Sequence, residues 1–232
     1  MNTLVLWLTV GILTLLTLAL AIRYINQRAD TCSVLETVEL AQGRRVQIVN
    51  DSCQEGLPHT TDARTIRMTR RVWESDRRAE ILRHEHVHCD QKGDLARWRR
   101  FYATAWGYEC LKAAPASLPT EWLPQLRPNP DTADAPWAVW RNRWVFFPVA
   151  AGKTEDGQLR LRDARVLVWD LKTRTMMYEP PAEWRAEFCE GPDGSVCPAQ
   201  FEHPHEIAAE FLTARTSVAP AAAKLFAFVG KN

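Results

Sequence analysis

The segment that most constrains this chain is residues 83–91, which contains the pattern His-Glu-x-x-His. His84 and His88 lie within a stretch, residues 75–91, whose capping and apolar residues predict a helix. Because four residues make slightly more than one helical turn, both imidazoles project from one face and can bind one zinc ion. Glu85 lies beside that face and is placed to act on a zinc-bound water. The sequence therefore predicts Zn²⁺ as a cofactor, two histidine ligands and a glutamate general base.

A catalytic zinc also needs a third protein ligand and an open position. Glu109 follows His88 after a further twenty residues. That length allows the first helix to end, the chain to turn near residues 92–93, and a second helix over residues 95–113 to pack back and present a carboxylate. Glu109 is therefore the expected third ligand. Three other acids remain alternatives: Glu121, Glu206 and Glu210.

The remaining apolar patterns predict an α+β fold in one domain over residues 30–232. Residues 113–136 contain six prolines and predict an irregular connection. From about residue 137 to residue 232 we expect a β-rich and then helical part. The expected strands cover a hairpin within residues 34–49, then residues 65–69, 144–149, 165–169 and 175–178, with a polar turn at residues 153–157. The expected later helices cover residues 182–188 and 205–214.

The N-terminal 22 residues carry no charged side chain, and the run from Leu4 to Ile22 is almost wholly apolar. That length is sufficient for a transmembrane helix, so residues 1–23 are predicted to be a membrane anchor. A cleaved signal peptide is the alternative, because Ala19-Leu20-Ala21 has the form of a cleavage site. The anchor predicts a single-pass protein that contacts the membrane through its first helix.

The six cysteines form three sequence-neighbouring pairs, which predict disulfides. The pairs are Cys32 with Cys53, Cys89 with Cys110, and Cys189 with Cys197. Disulfides form in oxidising compartments, so we expect the domain on the periplasmic or extracellular side. Arg23 and Arg28 favour the opposite orientation through the positive-inside bias, and reduced thiols in a cytosolic domain remain the alternative. The net charge of +1 gives no reason to expect nucleic acid as a partner.

The pattern His-Glu-x-x-His followed by a glutamate resembles the gluzincin metallopeptidases. The longer form His84-Glu85-x-x-His88-x-x-Gln91, with a strand-like segment before it, is similar to small bacterial and phage zincin-like domains over about residues 56–112. The resemblance implies a zincin-like fold with an active-site helix, a second ligand helix and β-hairpins. It also implies zinc bound by His84, His88 and Glu109, Glu85 as catalytic base, and residues 65–69 as a cleft edge where an extended peptide can pair.

The expected activity is therefore hydrolysis of a peptide or protein substrate. Gln91 is expected to contact the metal shell or to pack against the second helix. No residue matches the family's group that stabilises the tetrahedral intermediate, and the candidates for this role are Tyr178, His203 and His205. Two other functions remain open: a membrane-anchored binding or assembly module with a structural or inactive zinc site, and a zinc hydrolase of a non-protein bond.

Overall fold

The computed structural model describes residues 32–127, 129–150, 164–191, 194–214 and 216–230, which form a mixed α+β fold with two sheets. The predicted membrane segment and the predicted turn at residues 153–157 lie outside the described residues. Within the described ranges, no helix combines the length and apolar character needed to cross a bilayer.

The first sheet has four strands in the order β1-β2-β4-β3. The predicted hairpin is confirmed, since β1 and β2 are antiparallel around a turn at Ala41–Gly43. Strand β4 runs parallel to β2, and the short β3 pairs antiparallel with β4 at the edge of the sheet. Alternate apolar residues of β2 and β4 are buried on one face, under the helix that follows. The strands are β1 Val34–Glu39, β2 Arg45–Val49, β3 His59–Thr60 and β4 Thr65–Thr69.

Three helices follow this sheet: α1 Arg70–Trp73, α2 Arg78–Gly93 and α3 Leu95–Phe101. The helix predicted over residues 95–113 corresponds to α3, and the prediction that it continues to residue 113 is wrong. A π-helical turn at Tyr102–Trp106 ends at Gly107, whose φ of 75° is left-handed and terminates the helix. The chain then enters strand β5, Tyr108–Leu111.

The second sheet is an antiparallel meander of five strands in sequence order. Besides β5, its strands are β6 Trp137–Trp140, β7 Trp144–Ala150, β8 Ala164–Asp170 and β9 Thr175–Met177. One face packs on the aromatic core formed with the last three helices, α4 Ala182–Phe188, α5 Pro204–Ala214 and α6 Pro220–Val229. The other face is covered by the proline-rich connection, which contributes Leu118 and Trp122.

Two of the three predicted disulfides are confirmed: Cys32–Cys53 and Cys189–Cys197. The third prediction is wrong, because Cys89 and Cys110 are free thiols. Cys89 is buried under the first sheet, whereas Cys110 lies on β5 opposite Ala138 in the second sheet. Because α3 ends early, the two sulfur atoms lie in different layers of the fold.

Candidate metal centre and cleft

Helices α2 and α5 pack against each other and bring two histidines and a glutamate together. His84 and His88 occupy one face of α2, and Glu206 lies in the first turn of α5. Each histidine Nε2 atom is 3.3 Å from Oε2 of Glu206, and the two Nε2 atoms are 3.1 Å apart. Three potential ligand atoms thus point at one small space, as a tetrahedral metal site requires.

The carboxylate that the structure brings to the histidines is Glu206, one of the alternatives, and Glu109 does not join this group. Glu109 lies on strand β5 opposite Val139, and its side chain is exposed. The prediction for Glu109 assumed a long second helix alongside α2. Because the helix ends before Gly107, the residue moves into a sheet instead.

Gln91 fixes the orientation of His88. Its Oε1 is 2.7 Å from Nδ1 of His88, while its Nε2 donates to the Tyr102 hydroxyl and to the backbone carbonyl of His205. Since the amide nitrogen is occupied by two acceptors, the amide oxygen must accept from His88 Nδ1–H. In the neutral imidazole, the Nε2 atom of His88 therefore carries the lone pair that can bind a metal.

Glu206 is held by a second side chain, Asn129, from the proline-rich connection. Asn129 Nδ2 donates to Oε1 of Glu206 at 2.8 Å and lies 3.3 Å from Oε1 of Glu202. Asn129 Oδ1 accepts the backbone N–H of Asp131 at 2.9 Å, which sets the direction of the amide. One oxygen of Glu206 is thereby bound to Asn129, and the other faces the histidines.

The electrostatics of the group favour positive charge between the three side chains. Burial alone lowers the pKa of His88, but the carboxylates of Glu206, Asp131 and Glu85 together raise this pKa to about 10. The hydrogen bond to Glu206 likewise raises the pKa of His84 against the effect of burial. Conversely, the two histidines hold the pKa of Glu206 well below its usual range despite burial. A divalent cation fits this field and this set of donors.

Glu85 is buried beside the histidines. Its Oε2 accepts a hydrogen bond from the Thr60 hydroxyl at 2.8 Å. Burial, reinforced by the charge of Asp131, raises the pKa of Glu85 to about 7. Asp131 Oδ1 accepts from the Thr60 backbone N–H at 2.8 Å and from Lys92 Nζ at 3.2 Å. A carboxyl group with a pKa near neutrality can take up and release a proton under ordinary conditions.

A cleft of about 820 Å³ opens next to this group, and His84, Glu85 and Glu206 line it. Its wall also contains residues 54, 57 and 58, which precede β3, and residues 127 and 129–131 from the proline-rich connection. The metal group is therefore reachable by a ligand, as a catalytic site requires and a closed structural site does not.

The prediction that residues 65–69 form the cleft edge is wrong. Strand β4 is paired on both sides, with β2 and with β3. The edge strand is β3, and its outward backbone groups are already occupied: Asp131 accepts the Thr60 N–H, and Lys92 donates to the Thr60 carbonyl. Pairing of a peptide backbone at Thr60 would have to displace both side chains.

The three residues predicted to stabilise an oxyanion do not line the cleft. Tyr178 is 62% exposed and lies beyond β9. His203 and His205 are buried; His203 Nε2 donates to the Ala135 carbonyl, and His205 packs against Tyr102. A second group of potential metal ligands, Cys32, Cys53 and His59, contains a disulfide, so its sulfur atoms are not thiolate ligands.

Sequence reasoning missed three contributors to the site: Thr60, Asn129 and Asp131. Thr60 belongs to a two-residue strand, and the other two lie in a segment without regular periodicity. The available signal was Asn129-Pro130-Asp131, a capping pattern in which Asn129 accepts from the backbone of Asp131. That pattern predicts a local turn and gives no information about the distant glutamates.

No protein-family model, curated protein or solved structure matches the chain. The class of protein must therefore be inferred from the site itself.

Proposed function

We propose that this protein is a zinc-dependent hydrolase of peptide bonds with a zincin-like active site. The observation that carries the proposal is the convergence of His84, His88 and Glu206 on one space, with Glu85 beside them at the wall of a cleft. Two imidazole nitrogens and one carboxylate oxygen form the ligand set of many catalytic zinc sites. Glu206 takes the role of third ligand that was expected of Glu109, and the remaining roles are those expected from the motif.

A zinc ion bound by these three residues would supply a Lewis acid and lower the pKa of a water molecule. Glu85 would accept the proton of the attacking water and pass it to the leaving amine. Its raised pKa suits both steps, and the hydrogen bond from Thr60 holds one of its oxygens in place. Gln91 and Asn129 would keep the ligand atoms of His88 and Glu206 directed at the metal.

The test compares the full-length protein with Glu85→Gln, which keeps the size of the side chain but cannot accept a proton. We expect one zinc per chain in both proteins and cleavage of a mixed peptide library by the wild type. Cleavage should fall by about 10²- to 10⁴-fold in the variant, the usual contribution of a general base. Glu109→Gln is the matched control, and it should retain both zinc and activity.

Two results would overturn the proposal: a folded wild-type protein that binds no zinc, and cleavage unaffected by Glu85→Gln. Tight zinc binding without any turnover, combined with loss of folding in His84→Ala, would instead favour the binding or assembly module. Zinc-dependent cleavage of a non-peptide bond alone would favour the third function.

We propose further that the domain resides in an oxidising compartment, behind an N-terminal anchor or a cleaved signal. The two disulfides support this location, because such bonds persist outside the reducing cytosol. N-terminal sequencing of the mature protein and protease protection in cells distinguish an anchor from a signal and give the orientation.

A further inference from the structure

Arg127 is a buried cation in the wall of the cleft whose hydrogen-bonding capacity is unused. Its side chain is only 14% exposed, and its guanidinium makes no hydrogen bond to any residue in the described part of the chain. Its Nε atom is buried and without a partner. Glu202 forms an ion pair with the guanidinium: Oε1 of Glu202 lies 3.6 Å from Nη1, just beyond hydrogen-bond distance. Buried arginine donors are normally satisfied, so this arrangement needs an explanation.

The position of Arg127 is fixed by the backbone. Its N–H donates to the Pro148 carbonyl at 3.0 Å, and the preceding residue, Leu126, forms a bridge with Val149 of β7. Asn129 follows two residues later and contacts both Glu202 and Glu206. Arg127 is therefore connected to the proposed metal ligand through two intervening side chains, and it faces the same cleft.

Three of the acids that line the cleft outside the metal group are already paired. Glu210 accepts the backbone N–H groups of Ala199 and Gln200 at 2.8 and 2.7 Å. Glu80 pairs with Arg77 at 3.2 Å, and Asp131 is bound as described above. Arg127 therefore contributes to the wall a positively charged guanidinium that makes no hydrogen bond within the described chain, and such a group suits an anionic oxygen.

We propose that Arg127 binds a carboxylate of the substrate, so that the cleft takes peptides bearing an acidic side chain or a chain-terminal carboxylate near the scissile bond. This inference deepens the proposed function and rests on it for the identity of the substrate. A guanidinium presents paired N–H groups that match the two oxygens of a carboxylate. The neighbouring Glu202 forms an ion pair with Nη1 but accepts no hydrogen bond from the guanidinium.

The test separates anion binding from hydrolysis by using succinate and succinamide as probes. Full-length protein, first with zinc and then with a chelator, is titrated with each compound while the Arg127 Nε–H signal is followed by NMR. We expect succinate to shift this signal in a saturable manner under both conditions, and succinamide to leave it unchanged. The Arg127→Gln variant should bind succinate at least about tenfold more weakly, as expected for the loss of a charged hydrogen bond.

Arg99→Gln is the matched control, because Arg99 also has a buried Nε without a partner but pairs with Asp134 away from the cleft. It should bind succinate as the wild type does. Should Arg127→Gln fail to fold, Arg127→Lys retains the charge without the paired donors and should still bind succinate more weakly. Succinate that leaves the Arg127 signal unshifted, or that binds equally to wild type and to a folded Arg127 variant, would overturn the inference.

The outcomes for the two proposals are distinct. Succinate binding at Arg127 in a protein without peptidase activity would support the anion site and contradict the proposed function. Peptide cleavage with equal kcat/KM for matched glutamate and glutamine peptides, and also for peptides with free and amidated C-termini, would support the function and overturn the carboxylate preference.

Discussion

The single residue that best shows how the site is organised is Asn129. It donates to one oxygen of Glu206 and leaves the other facing His84 and His88. With Oε1 engaged, Glu206 presents a single oxygen to a metal, which leaves room for a water or substrate.

Replacement of Asn129 by aspartate should weaken zinc binding by about 10- to 100-fold, the usual effect of losing a partner of a metal ligand. Ionised aspartate can still accept the N–H of Asp131, so the turn is retained, but its carboxylate has no hydrogen to donate to Glu206. Competition with a zinc-binding dye measures the affinity. Gln125→Ala is the control and should bind normally, because this residue lies in the same connection and its amide donates to the Glu121 carbonyl, away from the metal group. Equal affinities for the wild type and Asn129→Asp would contradict the positioning role.

At the scale of elements, the sequence predicted those whose residues follow a regular period. The first hairpin, β4 and α4 agree closely with expectation. Strand β6 was missed because all four of its residues are buried, which removes the alternation that marks a half-exposed strand. Helix α3 was predicted to be too long because the helical spacing of aromatic residues continues past Phe101. The helical segment ends at Gly107 because its backbone is left-handed.

The left-handed turn at Gly107 also directs Glu109 into strand β5, away from His84 and His88. Three of the four metal-site residues, His84, Glu85 and His88, follow from a local motif. The choice of Glu206 over Glu109 depends on how α5 packs against α2, which no local pattern specifies. The sequence identified Glu206 as an alternative and could not rank it first.

Gly107→Ala should destabilise the protein by about 1 kcal/mol, because an L-residue pays this much in the left-handed region. The added Cβ would also lie 3.4 Å from Cγ of Arg141. Urea unfolding measures the change. Gly93→Ala is the control: its Cβ would meet the Ala63 Cβ at an ordinary 3.6 Å, so stability should be unchanged or higher. A Gly107→Ala protein as stable as wild type would show that the turn does not require a left-handed residue.

At the scale of the whole molecule, one disulfide lies at the start of the described chain, and the other precedes its last two helices. Cys32–Cys53 ties the start of β1 to the segment before β3, next to the cleft wall. Cys189–Cys197 closes the loop between α4 and α5. The chain between the two bridges carries strands β3 to β9 and helix α2, whereas helix α5 of the metal site follows the second bridge.

This arrangement predicts two reactive thiols in denatured protein that has not been reduced, and six after reduction. In the folded protein both thiols should react slowly, since burial raises the pKa of Cys89 and of Cys110 to about 12. Mass spectrometry after alkylation gives the counts. Labelling of none, or of four or more, in the unreduced denatured protein would contradict the disulfide assignment.

The central claim is that Glu206, together with His84 and His88, binds zinc. It is tested most directly by the zinc dissociation constants of wild type, Glu206→Gln and Glu109→Gln, measured on the full-length protein. We predict that Glu206→Gln weakens zinc binding by more than about 100-fold, beyond the range for a lost outer partner, and that Glu109→Gln matches wild type. Loss of zinc from Glu109→Gln, with Glu206→Gln unaffected, would contradict the account.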